Sequence, residues 1–309
     1  MLTSMRKPIP LKPGDTIRVV SPASPLPLEK LEKMREFLEA EGYKVELAKN
    51  ALAAEEYLAG SDGARAQDLM EAFTDPAVQG ILCSRGGYGS ARLMPHLDLD
   101  AISASNKLFL GYSDITTLHL ALQRRGLASI YAPMGISFHA ERDPWVYDSF
   151  RAALRGENTI PIGAPKGTTL VGGQAEGEIT GGCLCLLTDS LATPDALDAR
   201  GKILLIEDVD ENPHRIDAML THLLLSGILP SASGVVIGEM TNTDERCDPV
   251  IGAKPWREIV RDRVAPLGIP TIIDFPFGHM KNMLTLPLGL QVRLDADKGE
   301  LTYLETLCG

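Results

Sequence analysis

A serine lies where an apolar run gives way to a helix-like pattern. Residues 107–118 read KLFLGYSDITTL, which places Ser113 in a sharp strand-to-helix turn. This arrangement is typical of a nucleophilic hydroxyl that is exposed at the top of a sheet, with helix amides aimed at its target. Ile115 occupies the position of the second glycine in the usual G-x-S-x-G pattern. The alternative is that Ser113 only caps the next helix through its hydroxyl.

A carboxylate and a histidine that could activate a serine follow two later apolar runs. Glu207 follows Leu-Leu-Ile at 204–206 and could orient a histidine, although the acidic residues from 207 to 211 could equally form a solvated loop. His279 follows Phe-Pro-Phe-Gly at 275–278, and the neighbouring glycine would leave its ring accessible. The ordinary imidazole pKa, near about 6.5, suits proton transfer at neutral pH. His119 and His222 lie inside helical patterns, so His279 is the best candidate for a general base.

A glycine-rich loop follows the apolar residues 80–84 and reads Gly86-Gly87-Tyr88-Gly89. Its backbone amides could face an oxyanion, or the loop could simply be a tight turn that requires positive φ. It does not match a dinucleotide-binding fingerprint, because Arg92 stands at the third glycine position.

The elements that must position these residues alternate in the first half of the chain. Helical patterns separate the predicted strands, which are Thr16–Ser21, Lys44–Ala48, Gly80–Ser84, Leu108–Leu110 and Ser129–Ala132. This alternation predicts right-handed βαβ units and a parallel sheet. Ligands of such sheets bind at the carboxyl ends of the strands, where Ser113 and the glycine-rich loop are both expected.

The second half begins with a change of character. Glycines crowd residues 155–182, which favours a connection between domains. Beyond it, strand and helix patterns lead to a β-hairpin, with strands at Leu288–Leu294 and Glu300–Leu304. We therefore expect a first domain over residues 1–158, a glycine-rich connection over 159–180 and a C-terminal α/β domain over 181–309.

Composition excludes several classes of protein. A chain of 309 residues is long enough for about two domains, and its net charge of −11 argues against nucleic acid or an anionic membrane as a partner. The five cysteines fit neither a disulfide framework nor a zinc-ligand set, so free thiols in a reducing compartment are expected. No secretory signal and no membrane-spanning stretch is recognised, which predicts a soluble cytoplasmic protein.

Several ordered motifs together identify a family resemblance over nearly the whole chain. The matching segments are Ser84–Gly89, Gly111–Asp114, Gly181-Gly182 leading into Leu184, Ile206–Val209, Glu211–Asp217, Gly278-His279 and Leu286–Gly289. With these motifs the chain resembles the serine LD-carboxypeptidases, which include the muramoyltetrapeptide carboxypeptidases and the microcin C self-immunity peptidases. It departs from the family at His214, where Tyr is frequent, and at Cys183, where Asn is common.

The resemblance implies a flavodoxin-like parallel-sheet N-terminal domain, a β-rich α/β C-terminal domain and an active site at their interface. It implies a triad in which Ser113 is the nucleophile, His279 the general base and Glu207 the group that orients the base. The backbone amides of Gly87 and Asp114 would form the oxyanion hole. It implies no metal and no cofactor for the reaction.

The implied reaction is hydrolysis of an L,D peptide bond through an acyl-enzyme, with release of terminal D-Ala from murein tetrapeptide in peptidoglycan recycling. The partner would be a small peptide whose carboxylate needs a cationic or an amide group, and Arg85 and Arg215 are candidates for the cationic one. The family's tendency to dimerise makes a homodimer one option.

Two other functions remain open at this stage. One is a microcin-immunity amidase that cleaves a peptidyl-nucleotide. That specificity would require an aromatic platform for the base, whereas Trp145 and Trp256 lie in patterns typical of helix starts. The other is a non-catalytic, two-lobed binding protein for small molecules.

Overall fold

The computed structural model of the chain describes residues 5–157, 160–248, 250, 252 and 254–308. These residues form two compact units. The first contains the described parts of Met1–Asn158, Thr285–Gly289 and Thr306–Gly309, and the second those of Thr159–Leu284 and Leu290–Glu305.

The strands and helices are numbered here in chain order. The strands are β1 (Thr16–Val20), β2 (Lys44–Leu47), β3 (Gly80–Cys83), β4 (Leu108–Gly111), β5 (Ser129–Tyr131), β6 (Thr168–Val171), β7 (Gln174–Cys183), β8 (Ile203–Val209), β9 (Gly234–Thr241), β10 (Thr271–Ile273), β11 (Leu286–Leu288), β12 (Gln291–Asp295) and β13 (Glu300–Tyr303). The α-helices are α1 (Glu32–Ala40), α2 (Asp62–Thr74), α3 (Leu99–Ala104), α4 (Thr116–Arg124), α5 (Pro144–Leu154), α6 (Leu184–Asp189), α7 (Pro213–Leu225), α8 (Ile228–Ser231) and α9 (Trp256–Val264). No helix within the described ranges is long and apolar enough to cross a membrane.

The first unit is built on a six-stranded sheet in the order β11-β5-β4-β3-β1-β2. Strands β1 to β5 pair in parallel and give the flavodoxin-like order 2-1-3-4-5, while β11 adds an antiparallel edge. The central strands β3 and β4 are buried at every residue, as expected where both faces of a parallel sheet are covered. The predicted flavodoxin-like sheet is confirmed.

A buried histidine ties helix α4 to the sheet. His119 Nε2 lies 2.9 Å from the carbonyl oxygen of Gly111 at the end of β4, and its Nδ1 lies 2.8 Å from Ser129 Oγ on β5. Burial lowers the pKa of His119 to about 4, so the ring is neutral at pH 7. It is a structural residue, and it fixes the strand end that leads to Ser113.

The second unit is built on a seven-stranded sheet in the order β13-β12-β7-β8-β9-β10-β6. Strands β7 to β10 are parallel, and the outer strands β6, β12 and β13 pair antiparallel. The segment predicted as a connection in fact contributes β6 and most of β7. Its glycines allow close packing rather than breaking the strand: a Cβ on Gly177 would lie 2.5 Å from the carbonyl oxygen of Gly201.

The C-terminal hairpin is present, but its first strand differs from the prediction. Strands β12 and β13 pair antiparallel around the turn at 296–299. Residues Leu286–Leu288 instead join the sheet of the first unit, so the single strand predicted from Leu288 to Leu294 is wrong. Gly289, with φ of +87°, separates the two strands. Both pieces are apolar, and hydropathy alone could not reveal that they belong to different sheets.

A buried arginine on α2 fastens three loops of the first unit. The side chain of Arg65 is 2% exposed, and it donates hydrogen bonds to the carbonyl oxygens of Gly60 (3.2 Å), Gly89 (3.0 Å) and Pro22. Its ion pair with Asp62 completes the set. Burial lowers the pKa of Arg65 from its ordinary value, and the nearby Asp62 carboxylate opposes that shift. One interior cation therefore joins the loop that carries Gly89 to the two loops that carry Pro22 and Gly60.

Replacing this arginine should destabilise the protein strongly. Arg65→Met leaves the three buried carbonyl oxygens without their donor, so we expect a loss of about 3–5 kcal/mol in the free energy of unfolding, measured by urea denaturation. Arg92→Met is the matched control, because Arg92 pairs with the same Asp62 but is 42% exposed. The control should lose a small fraction of that amount, and equal losses would contradict the anchoring role.

Candidate active site

Ser113 is held in a backbone conformation that is uncommon for a residue with a side chain. Strand β4 ends at Gly111, a 3-10 turn covers Ser113–Ile115, and α4 begins at Thr116. The φ angle of Ser113 is +65°, in the left-handed region. A strained residue between a strand and a helix is what a nucleophile elbow requires. The strand-to-helix turn predicted from the sequence is therefore present, with strain at the residue that would react.

The capping alternative for Ser113 is wrong. The N-cap positions of the 3-10 turn and of α4 are Tyr112 and Ile115, and neither makes a side-chain capping hydrogen bond. The backbone N–H of Ser113 donates to Tyr131 Oη at 3.3 Å. Ser113 thus lies inside the turn and not at the helix cap.

The glycine-rich loop packs directly on the Ser113 turn. A Cβ added to Gly86 would lie 2.9 Å from Ser113 Cβ, 3.0 Å from Ser113 Oγ and 3.2 Å from the backbone nitrogen of Asp114. Only glycine allows this approach without displacing the serine. Because Gly86 has no side chain, space remains beside the Ser113 hydroxyl and the backbone N–H of Asp114. Any other residue at position 86 would fill that space with its side chain.

Hydrogen bonds hold both ends of this loop. Ser24 donates its backbone N–H to the carbonyl oxygen of Gly86 at 3.3 Å, and its hydroxyl accepts the N–H of Tyr88 at 3.2 Å. Gly87 has φ of +111°, and a Cβ there would lie 2.4 Å from Ser24 Oγ. The other end of the loop is held by the Asp114 side chain, which accepts the N–H of Ser90 at 2.8 Å. Burial raises the pKa of Asp114, although its hydrogen bonds with Ser90 and Gly89 oppose the shift.

In the second unit, Glu207 is a fully buried residue of β8. Its side chain is 0% exposed, and the strand continues past it to Val209. Asp208 is also buried, at 1% exposed. The interpretation of residues 207–211 as a solvated acidic loop is therefore wrong for these two residues. Both residues lie on an interior strand of the sheet, because β8 pairs with β7 on one side and with β9 on the other.

Glu207 orients His279 through two hydrogen bonds to one oxygen. His279 Nδ1 lies 2.7 Å from Glu207 Oε2, and the backbone N–H of His279 donates to the same oxygen at 3.1 Å. Gly278, with φ of +102°, makes this approach feasible, because a Cβ there would lie 2.6 Å from Oε2. With Nδ1–H donating to the carboxylate, Nε2 is the nitrogen that can accept a proton.

The carboxylate also sets the basicity of the imidazole. Burial alone would lower the pKa of His279, but the negative charge and hydrogen bond of Glu207 outweigh it, with smaller contributions from Asp208 and Asp210. The pKa of His279 is therefore raised above its ordinary value. This is the direction expected for a base whose protonated form is stabilised during a reaction.

The two arginines proposed from the sequence differ in their surroundings. The half-buried guanidinium of Arg85 donates to the carbonyl oxygens of Gly86 (3.2 Å) and Pro25 (3.4 Å) within the first unit. Arg215 lies on α7 of the second unit, where its exposed side chain is 3.8 Å from Glu211. The second unit also contains a cavity of about 480 Å³, lined by Asn212, Pro213, His214, Asp217, Arg246, Asp248, Gly252, Lys254 and Ile259. Sequence analysis did not identify the two cations of that cavity.

Three residues that support Ser113, the glycine-rich loop or Glu207 were not predicted from the sequence, namely Tyr131, Arg65 and Asp208. Tyr131 lies at the carboxyl end of β5, and that position in a parallel sheet was an available signal. No comparable signal existed for Arg65, since one arginine in a helical pattern is usually exposed. The burial of Asp208 was not predicted, because further acidic residues follow it and such a run is usually solvated. Burial raises its pKa to about 7, with a further contribution from the charge of Glu207.

Comparison with known proteins decides the family. A family model described as the LD-carboxypeptidase N-terminal domain matches residues 17–132, and one described as the LD-carboxypeptidase C-terminal domain matches residues 176–294. The chain belongs to the LD-carboxypeptidase family. The resemblance found in the sequence motifs is confirmed, and with it the assignment of the chain as an enzyme and not as a non-catalytic binding protein.

Relatives of this LD-carboxypeptidase match it over nearly their whole length. A protein named putative carboxypeptidase in Streptomyces coelicolor is 40% identical over 302 residues, covering 96% of this chain and 95% of the relative. A probable murein peptide carboxypeptidase of Bacillus subtilis is 38% identical over 296 residues, covering 94% and 91%.

Solved structures confirm the α/β architecture. The microcin C7 self-immunity protein MccF, as an inactive mutant without ligand, matches with a TM-score of 0.87 and 26% identity, covering 98% of this chain and 100% of the other. The muramoyltetrapeptide carboxypeptidase of Oxalobacter formigenes matches with a TM-score of 0.80 and 28% identity, covering 93% and 97%. Proteins named for two different substrates therefore share this fold.

The Glu207–His279 pair predicts a defined pH dependence. In the wild type, the His279 titration midpoint should lie above about 6.5, and in Glu207→Gln it should fall below that value, because burial then acts without the carboxylate. Because the folded pKa is raised, the pair's contribution to stability is fully present below about pH 6.5 and is lost as the pH rises through the folded pKa. NMR titration of the ring Cε1–H measures the midpoint.

Asp210→Asn is the control for this titration. Asp210 makes the smallest contribution to the pKa of His279, and its carboxylate is 55% exposed. We expect this variant to lower the midpoint less than Glu207→Gln does. An unchanged midpoint in Glu207→Gln would contradict the electrostatic account.

Proposed function

We propose that this LD-carboxypeptidase is a serine hydrolase that releases terminal D-Ala from murein tetrapeptide in peptidoglycan recycling. The observation that carries the catalytic part is the buried Glu207 carboxylate, 2.7 Å from His279 Nδ1. Activation of an alcohol nucleophile needs a base that is itself oriented by a third group. The substrate assignment is supported by the names of the Bacillus and Oxalobacter relatives.

In the proposed reaction, Ser113 Oγ attacks the carbonyl carbon of the L,D peptide bond while His279 Nε2 accepts its proton. This step requires the two atoms to come within about 2.6–3.2 Å in the reacting complex. The imidazolium, stabilised by Glu207, then protonates the nitrogen of the leaving D-Ala. Water, deprotonated by the same imidazole, attacks the acyl-enzyme and regenerates the Ser113 hydroxyl.

The tetrahedral intermediate carries a negative charge on the former carbonyl oxygen. We assign its stabilisation to the backbone N–H groups of Gly87 and Asp114, each worth about 3–4 kcal/mol in comparable sites. The close approach of Gly86 to Ser113 Oγ and to the Asp114 nitrogen supports this assignment, because it keeps side chains away from the space where the oxyanion would develop.

The leaving D-Ala carries a carboxylate that a cation or an amide N–H can bind. Arg85 and Arg215 remain the proposed partners of this group. Arg85 is supported by its position directly before Gly86, the residue that contacts the proposed nucleophile. The partner is then a small peptide, and recycling of such peptides favours a cytoplasmic enzyme.

A second candidate function is hydrolysis of a peptidyl-nucleotide amide, as suggested by the fold match to the microcin C7 self-immunity protein. Trp145 and Trp256 are only 8% and 2% exposed, so neither offers a platform for a base. Tyr57 and Tyr88 are 55% and 53% exposed, and their ring centroids are 5.9 Å apart. Tyr88 belongs to the glycine-rich loop, so this aromatic pair is the observation that favours the second candidate.

The decisive experiment measures D-Ala release from UDP-MurNAc-tetrapeptide. The wild type should release D-Ala, and Ser113→Ala should lose about 10⁴-fold or more in kcat, because no other group can form the acyl-enzyme. Ser105→Ala is the matched control, since Ser105 lies at the C-terminal end of α3, where its hydroxyl donates a hydrogen bond to the carbonyl oxygen of Ile102. It should retain full activity, and circular dichroism should show both variants folded.

Two results would overturn parts of this proposal. Full activity of a folded Ser113→Ala would exclude the serine as nucleophile. Absence of D-Ala release by the wild type, together with cleavage of an aspartyl sulfamoyl adenosine, would replace the murein substrate with the peptidyl-nucleotide.

A further inference from the structure

Two cysteines and a buried aspartate meet in the second unit outside the proposed triad. Cys183 ends β7, Cys185 lies in the first turn of α6, and Asp208 lies on β8. The two Sγ atoms are 3.4 Å apart, and Cys183 Sγ is 3.5 Å from Asp208 Oδ1. One ligand atom from each residue falls within 4.8 Å of the other two. Neither cysteine is in a disulfide, so no S–S bond accounts for their proximity.

These distances match those between the ligands of a tetrahedral zinc ion. With Zn–S near 2.3 Å and Zn–O near 2.0 Å, tetrahedral angles separate a sulfur from an oxygen by about 3.5 Å and two sulfurs by about 3.8 Å. The Cys183 Sγ to Asp208 Oδ1 separation agrees. The two sulfurs need to move apart by only a few tenths of an ångström. Three protein ligands would leave a fourth position for water.

The aspartate is already oriented by the backbone. Its Oδ2 accepts the N–H of Cys185 at 2.9 Å, and its Oδ1 accepts the N–H of Val209 at 2.8 Å. Hydrogen bonds of this kind fix a ligating carboxylate before the ion arrives. Asp208 is 1% exposed and Cys183 is 2% exposed, whereas Cys185 is half-buried and gives the ion a route from solvent.

The surrounding charge favours a cation over oxidation of the thiols. Asp208 lies within the cluster and Glu207 precedes it on β8, so the local field is negative. Reactive cysteines are found in electropositive surroundings that stabilise the thiolate, and no such partner lies within this cluster. A thiophilic divalent cation would stabilise the thiolates and satisfy the carboxylate at once.

The geometry points to a binding site for a thiophilic divalent metal ion, Zn²⁺ or Cd²⁺, with Cys183, Cys185 and Asp208 as its ligands. The site joins the end of β7, the first turn of α6 and strand β8, which also carries Glu207. Because the ion would bind the folded chain and not the unfolded one, its binding stabilises this part of the second unit. The inference does not depend on the substrate or on the triad.

The test is a titration of the reduced wild-type protein with Cd²⁺, followed by the ultraviolet thiolate-to-cadmium absorption. One Cd²⁺ per chain should bind, Zn²⁺ should displace it, and thermal unfolding should shift upward in its presence. Cys185→Ser is the main variant because that residue is half-buried and its replacement leaves the core intact. It should weaken binding at least about tenfold and remove about half of the absorption.

Cys247→Ser is the matched control, since Cys247 is also half-buried but lies outside the cluster. It should bind Cd²⁺ as the wild type does. Equal binding by Cys185→Ser and the wild type would overturn the inference. It would also be overturned if the reduced wild type bound no Cd²⁺, or if peroxide joined Cys183 and Cys185 in a disulfide while no metal bound. D-Ala release is measured separately, so its absence would bear on the proposed function and not on this site.

Discussion

The candidate catalytic chemistry depends on one interaction, the hydrogen bond between the buried carboxylate of Glu207 and His279. An ionised carboxylate without partners is costly in a protein interior, and here its oxygen receives both the imidazole and the backbone N–H of His279. The Glu207 side chain is 0% exposed, on an interior strand that pairs with β7 and β9. Gly278 then brings the histidine backbone within reach of the carboxylate. Burial, strand pairing and one glycine together produce an oriented base.

Ser113 is also held in place by the structure around it, and there it is the backbone that is strained. A left-handed serine persists only where its surroundings fix it, and the loop of Gly86 to Gly89 contributes to that constraint. That loop is in turn held by the Arg65 guanidinium and by the Asp114 carboxylate. The first unit thus uses an interior cation and an interior anion to hold the loop that packs on the Ser113 turn.

The sequence predicted the features that arise from local patterns. The strand-to-helix turn at Ser113 followed from an apolar run with a helix behind it, and the parallel sheet followed from regular alternation of strands and helices. The triad residues came from a family resemblance, because spacing alone left Glu207 open to interpretation as a solvated acidic residue. Family membership is confirmed, whereas the catalytic roles stay predictions.

What the sequence could not reveal depends on contacts between distant segments. Glycines in residues 159–180 indicated a connection between domains. In the structure, those in β7 permit close packing of the chain, which the sequence alone cannot show because the packing partner is distant in sequence. Residues 286–288 join a different sheet from residues 291–295, although both runs are apolar. Burial of Arg65 and Asp208 likewise follows from tertiary packing, which overrides the usual exposure of charged residues.

We propose that Ser113 and His279 act as one catalytic unit, which a double-mutant cycle can test. kcat for D-Ala release would be measured for the wild type, Ser113→Ala, His279→Ala and the double variant, each checked for folding. We expect the double variant to be no slower than the worse single variant to within a few-fold, since either change removes the same step. Losses that multiply in the double variant would show independent roles and contradict the account.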